Sequence, residues 1–295
     1  MSEHAVPGAG AAAIAVIGGS GFYDLPGAVL APVVVDTPFG APSDVLAVGT
    51  VGARRVIFLP RHGRDHRLLP SEVNARANVY ALKLLGATHV IAISAVGSLR
   101  EAIAPGDVVV PRQLIDRTVG RPSTFFGAGV VAHVSLADPT CARVGDALVT
   151  AARGVAGTRV HERGTSVCIE GPQFGTRAES ELMRSWGGDI VGMTAMPEAR
   201  LAREAELCYA TLAMATDYDC WHTGSVTMTE VLAVMRANTE RARAILAATI
   251  AALDPATPCE CHTSLDAALA TPPGAIDAAA RTRLGPILAR RLAGT

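Results

Sequence analysis

The sequence predicts a single α/β domain built on a largely parallel or mixed central β-sheet flanked by helices. Three observations predict it. Short β-rich apolar runs alternate with segments of helical character. With 295 residues, 49% of them apolar and 18% charged, the chain can bury one sizeable core. The apolar runs end in glycine, hydroxyl or charged residues, which places polar chemistry at strand ends, where open α/β sheets hold their ligands.

The Gly/Ala-rich segment 1–13 is expected to be flexible, and the domain proper to span 14–253. The first strand, Ile14–Ile17, runs into Gly18-Gly19-Ser20-Gly21, whose amides and Ser20 hydroxyl suit an anion. The strand Val56–Leu59 is followed by Pro60-Arg61-His62-Gly63, a planar cation and an imidazole that match a phosphate, or else form a solvated basic loop. A helix is predicted over Asn74–Leu85. The strand His89–Ile93 then ends in Ser94-Ala95-Val96-Gly97-Ser98. Strands at Asp107–Val110 and Ser166–Ile169 follow, the second leading into Glu170-Gly171-Pro172-Gln173-Phe174; Phe174 either covers a flat base or packs in the core. After a helix over Arg177–Trp186, the strand Ile190–Met193 ends in Thr194, and a helix over Pro197–Glu206 has its proline in the tolerated first turn. The strand Cys208–Ala215 delivers Asp217 and Asp219, two residues apart and so expected on one side of the chain. Paired acids can keep one proton near neutrality; alternatively, Asp217 caps a loop and Asp219 is solvated. A charge-rich helix over Thr229–Ala252 precedes a linker near Asp254–Pro258, and the 254–295 tail is expected to form a short helix near Ile276–Leu292 docked on the domain or on a neighbour.

A net charge of −1 gives no global bias toward nucleic acid or an anionic membrane. Ala5–Tyr23 is uncharged, but Pro7 and several glycines interrupt it, so it is not a convincing anchor. Six cysteines, mostly inside apolar runs, suit a reducing compartment, with the cytoplasm as the default. The glycine-rich segment lacks the third glycine of a dinucleotide fingerprint, the Gly-Lys-Ser/Thr of a Walker loop, and the closing glycine of a hydrolase elbow, where Phe22 stands instead. A Ser20/His62/Asp217 hydrolase is a distant alternative. No metal is expected. Gly63 and flanking arginines oppose one at His62, Asp65 and His66, while Cys259-Glu260-Cys261-His262 shows no second ligand pair at zinc spacing.

Ile17–Gly21 (IGGSG), Asp36–Gly40 (DTPFG), Pro60–Gly63 (PRHG), Glu170–Phe174 (EGPQF), Gly192–Thr194 (GMT), Met196–Ala199 (MPEA) and Ala215–Trp221 (ATDYDCW) occur in this order. Together they resemble the trimeric purine nucleoside phosphorylase family, in its 5′-methylthioadenosine phosphorylase branch, over roughly Ile14–Ala252. The resemblance implies a mixed sheet with a distorted barrel, a homotrimer with sites near subunit boundaries, and cofactor-free phosphorolysis with inorganic phosphate as co-substrate. Carried over by motif, Ser20, Arg61, His62, Ser94, Ala95 and Thr194 would bind phosphate. Met193, beside Gly192, would face the ribose, and Phe174 the base; Asp217 would protonate or hydrogen-bond N7 of the purine, and Asp219 would hold its amino edge. His133, Met228 and Val231 would line the 5′ pocket, although Met228 and Val231 also have the spacing of ordinary helical core residues.

The resemblance therefore implies conversion of 5′-methylthioadenosine, or a related 5′-substituted adenosine, to adenine and a 5-substituted ribose 1-phosphate. Gly192, Gly175 and Gln173 depart from the branch's common asparagine, serine and arginine, which leaves the 5′ substituent open between methylthio, halogen and hydroxyl. A 6-oxopurine phosphorylase, a nucleoside hydrolase and a non-catalytic nucleoside-binding protein are the remaining alternatives.

Overall fold

A computed structural model describes residues 11–19, 25, 27–222 and 227–293. Ser20 lies outside the described residues, as does most of the N-terminal segment expected to be flexible. The fold has strands β1 (Ala13–Gly18), β2 (Ala28–Val33), β3 (Leu46–Val51), β4 (Arg54–Pro60), β5 (Ala87–Ser98), β6 (Val108–Val109), β7 (Gln113–Arg117), β8 (Val160–His161), β9 (Thr165–Ile169), β10 (Ile190–Gly192) and β11 (Cys208–Tyr218). Its helices are α1 (Ala75–Leu84), α2 (Ala142–Gly154), α3 (Arg177–Ser185), α4 (Ala195–Glu204), α5 (Met228–Ala252) and α6 (Ala278–Leu292).

The sheet is mixed and branches at β5. One path runs β2-β3-β4-β1-β5-β10-β9-β7, while β11 also pairs with β5 and leads to β6 and β8. The central strands are buried on both faces, which explains why they read as continuous apolar runs. Alternation sorts their side chains into two cores. Ala15 and Ile17 of β1, with Ile57 and Leu59 of β4, join a cluster that includes Val79 of α1, Leu201 of α4 and Leu284 of α6. Ile14, Val16, Val56 and Phe58 face the opposite cluster, filled by Val144 and Leu148 of α2 and by Ile245 and Leu246 of α5. Helices thus cover both sides of the sheet, and α6 of the C-terminal tail packs into the first core through Ala280, Leu284, Ile287 and Leu288.

Local chemistry sets the helix starts. The Asn74 side chain accepts from the Ala77 amide (3.1 Å) at the start of α1, and Thr176 and Glu179 form a reciprocal capping box at α3. The helix α2 was not expected from the sequence, because Gly145 lowers helix propensity; there a Cβ would fall 2.1 Å from Arg112 Nη1, so the glycine lets that guanidinium lie against the helix. Also unexpected were β2, β7 and β8, which end the paths of the sheet, and β3, which lies between β2 and β4 but is half-buried or exposed at four of its six positions. β2 carries Pro32 and largely alternates between half-buried and exposed positions, while both ends of β7 are exposed. Finally, β11 extends past the expected end at Ala215, through a register shift between Ala215 and Asp217, and pairs Asp217 with Gly97 of β5.

Candidate active site

The parallel pairing of β1 with β4 aligns Gly18 with Pro60, and the Arg61 amide donates to the Gly18 carbonyl (3.0 Å). The Gly18 turn and the Arg61-His62 pair therefore leave the sheet side by side. Arg61 is buried at 3% exposure. Its guanidinium was expected to present a free fork to an oxyanion. Instead, Nε and Nη2 donate to the two Glu198 oxygens (2.6 and 3.1 Å), and Nη1 donates to the Ile93 carbonyl (2.8 Å). Glu198 also accepts from the Tyr209 hydroxyl at 3.1 Å. The reason is burial: a guanidinium withdrawn from water needs a carboxylate partner, and Glu198 supplies it from α4. Despite the burial, this partner holds the Arg61 pKa above its ordinary value.

His62 was expected to add a donor. Its Nδ1 lies 2.9 Å from the Leu68 carbonyl, which can only accept, so Nδ1 carries the proton. Burial and the neighbouring Arg61 cation depress its pKa to about 4, and the ring stacks on His66 with centroids 4.4 Å apart. At neutral pH the ring therefore keeps Nε2 as an acceptor.

The next strand end supplies the hydroxyls. Ser94 of β5 and Thr194, the residue preceding α4, meet with their oxygens 2.9 Å apart. Ala95 is exposed within its strand, and a Cβ on Gly192 would lie 3.2 Å from Val96 Cγ1. Thr194 also lines a small cavity with Arg61, Arg121, Met193 and Glu198. Arg61, Ser94 and Thr194 thus converge, with His62 beside Arg61 in the chain; Ser20 cannot be placed.

The two acids come from β11, Asp217 within it and Asp219 just past its end, and both meet β5 at Gly97. A Cβ at Gly97 would sit 3.1 Å from Asp217 Oδ1 and 3.3 Å from Asp219 Cβ, so both residues crowd the one glycine that leaves room for them. Thr216 donates to Asp217 Oδ2 at 2.7 Å, Asp217 is half-buried, and Asp219 is buried at 4% exposure. This burial excludes the solvated reading of Asp219. The shared neighbourhood follows from the bulge rather than from simple strand alternation.

Phe174 is 41% exposed and lines an open cavity of about 430 Å³ with Glu170, Gly171, Leu182 of α3 and Trp186 just after it. The core-packing alternative for Phe174 is thus excluded. Its loop touches the acidic end of β11: the Cys220 thiol lies 3.2 Å from the Gly175 carbonyl, and Arg177 donates to the carbonyls of Cys220 and His222 (2.5 and 3.0 Å). Met193 packs against Gly171, where φ is +68° and a Cβ would fall 2.5 Å from its sulfur.

The three 5′-pocket candidates stand on two separate parts of the chain. His133 is exposed, on a segment whose backbone bonds to Ala268 (2.8 Å). Met228 is 50% exposed and Val231 is buried, one turn apart at the start of α5. Two residues assigned no role from the sequence shape the site. Glu198 holds Arg61, and Arg121 donates to the carbonyls of Met193 (2.7 Å), Met196 (3.0 Å) and Glu170, tying the ends of β9 and β10 together. Glu198 stood in view within MPEA, but its partner is 137 residues away. Among the described residues, the groupings suited to a metal are Cys141/Cys208/Cys259/Cys261 and His89/Cys208/His262, not His62/Asp65/His66. The second ligand pair thought missing beside Cys259 and Cys261 is thus present, brought in from distant sequence.

The sequence profile of the phosphorylase superfamily matches residues 13–251. The chain belongs to this superfamily and, within it, to the S-methyl-5′-thioadenosine phosphorylase family. It is 50% identical over 279 residues to the S-methyl-5′-thioadenosine phosphorylase of Geobacter sulfurreducens, covering 93% of this chain and 97% of the relative. It is 51% identical to the enzyme of that name from Gloeobacter violaceus, covering 95% and 96%. A methylthioadenosine phosphorylase from an Antarctic soil metagenomic library superposes with a TM-score of 0.90 at 48% identity, covering 94% of this chain and 99% of that one. The methylthioadenosine phosphorylase of Schistosoma mansoni in complex with adenine gives 0.78 at 42% identity, covering 82% and 91%.

Proposed function

We propose that the protein catalyses phosphorolysis of 5′-methylthioadenosine to adenine and 5-methylthioribose 1-phosphate. The observation that carries this reading is the arrangement along β5: the paired hydroxyls of Ser94 and Thr194, and two carboxylates at Gly97. Three residues of strand span about 10 Å, enough for an anion, a ribosyl group and a departing base in line. The names of the relatives support the same substrate.

In this reading, Ser94, Thr194 and Ala95 hold phosphate at the anomeric carbon, with Ser20 joining from the β1 turn. Neutral His62 accepts a hydrogen bond from a protonated phosphate oxygen through Nε2. Arg61, held by Glu198, supplies positive potential and its remaining Nη1 donor. The glycosidic bond loosens toward an oxocarbenium-like ribosyl group, and a phosphate oxygen forms the new bond to C1′ as N9 departs. Asp217 donates to N7 as charge builds on the base, a form of general acid assistance that contributes about 10²–10⁴-fold. Asp219 receives the exocyclic amine, Phe174 covers the base, and Met193 faces the ribose. His133, Met228 and Val231 form an apolar 5′ wall in a homotrimer, where an exposed His133 can come from a neighbouring copy. The exposed apolar Val119, Leu182 and Trp186 beside Phe174 support association at this edge. Apart from phosphate the reaction needs no cofactor, and the expected compartment is the cytoplasm.

The test is adenine release from methylthioadenosine, 5′-chloroadenosine, adenosine and inosine in parallel, at saturating phosphate. Methylthioadenosine is expected to have the highest kcat/KM and inosine the lowest, because its carbonyl meets the Asp219 carboxylate. Equal values for adenosine and inosine would remove the base assignment. A chloro substrate well ahead would reassign the 5′ pocket.

A further inference from the structure

At the far end of β11 from Asp217, four cysteines from three parts of the chain meet. Cys141 precedes α2, Cys208 opens β11, and Cys259 and Cys261 flank Glu260 in the C-terminal segment. Their sulfur atoms all lie within 4.8 Å of one another, and Cys141, Cys208 and Cys261 are at most 5% exposed. We propose that these four cysteines form a tetrahedral site for a thiophilic divalent metal, zinc foremost.

Geometry carries the argument. Zinc–sulfur bonds of about 2.3 Å in a tetrahedron give sulfur–sulfur edges of about 3.8 Å. The Cys141 and Cys259 sulfurs are 3.8 Å apart, and none of the four is disulfide-bonded. The surroundings suit thiolates. Cys141 stands at the N-terminus of α2, Arg203 donates to the Cys261 sulfur at 3.6 Å, and His262 Nε2 lies 3.4 Å from the Cys208 sulfur. A metal tetrathiolate carries two negative charges, which a neighbouring arginine offsets; two neutral disulfides would give Arg203 no such partner. The alternative trio of His89, Cys208 and His262 is less suited, because His89 Nε2 already faces Arg143 at 2.6 Å. On binding, four S–H bonds break, four S–metal bonds form, and the protons pass to solvent without electron transfer. Cys208 and Asp217 are nine residues apart, about 30 Å along the strand, so the site would pin the C-terminal segment to the domain rather than serve the chemistry.

The test is metal analysis of full-length protein produced with supplemental zinc and purified without chelator. About one zinc per chain is expected, with all four thiols alkylated after denaturation in chelator without reductant. Replacing zinc by Co²⁺ should give the charge-transfer and d–d absorption of tetrahedral thiolate coordination. Cys259→Ser/Cys261→Ser should lose both signals and keep methylthioadenosine turnover within about threefold of wild type. Should the double variant not fold, Cys259→Ser, at the half-buried ligand, is expected to bind zinc at least tenfold more weakly. Zinc-free protein after reconstitution, unchanged zinc in the variants, or an intact mass showing two disulfides would overturn the proposal.

Discussion

Asp217 accepts from Thr216 and sits against Gly97, and in the proposed mechanism it donates to the departing base. Asp217→Asn keeps shape and removes the acid, so kcat should fall about 10²–10⁴-fold with the KM for phosphate nearly unchanged. Steady-state kinetics on the folded variant check this, and near-wild-type turnover would remove Asp217 from the mechanism. The buried Arg61–Glu198 pair makes a different demand. Glu198→Ala leaves an uncompensated guanidinium at 3% exposure and should cost about 3–5 kcal/mol of stability, read from urea unfolding. Histidines set the acid limit. His62 and His89 titrate near 4 in the folded state, below the ordinary 6.5, because burial and adjacent arginines disfavour their charged forms. Between those values the unfolded chain binds more protons, so this contribution is complete above pH 6.5 and is lost as pH falls through 4. Urea midpoints should decline over this window, and less steeply in His62→Gln. A pH-independent midpoint would contradict the assignment.

At the scale of elements, the strands and their connecting loops set the site's geometry. Gly171 holds φ at +68° beneath Met193, so Gly171→Ala should cost about 1–2 kcal/mol from backbone strain and also displace Met193, raising the nucleoside KM more than that of phosphate. Thermal denaturation and paired KM measurements check this. The central strands were legible in sequence because β1, β4, β5 and β11 are buried on both faces and carry unbroken apolar runs. The strands β2, β3, β7 and β8 were not, since strands with many half-buried or exposed positions leave only a weak apolar pattern. The expected helices over Asn74–Leu85 and Arg177–Trp186 match α1 and α3 to within a residue at each end, whereas the bulge that sets Asp217 opposite Gly97 depends on register between strands distant in sequence.

At the scale of the whole molecule, strand-end chemistry was readable one segment at a time, but pairing between segments was not. Arg61 read as a free anion fork because nothing local announced Glu198, and Cys259 and Cys261 read as a lone pair because Cys141 and Cys208 arrive through the fold. Among the described residues no helix is long and apolar enough to cross a membrane. The central claim, that phosphate rather than water attacks the anomeric carbon along β5, is tested most directly by ³¹P NMR of a complete methylthioadenosine turnover with adenine quantified in the same sample. Loss of inorganic phosphate and appearance of one sugar 1-phosphate per adenine is the expected result; adenine formed with the phosphate signal unchanged would contradict it.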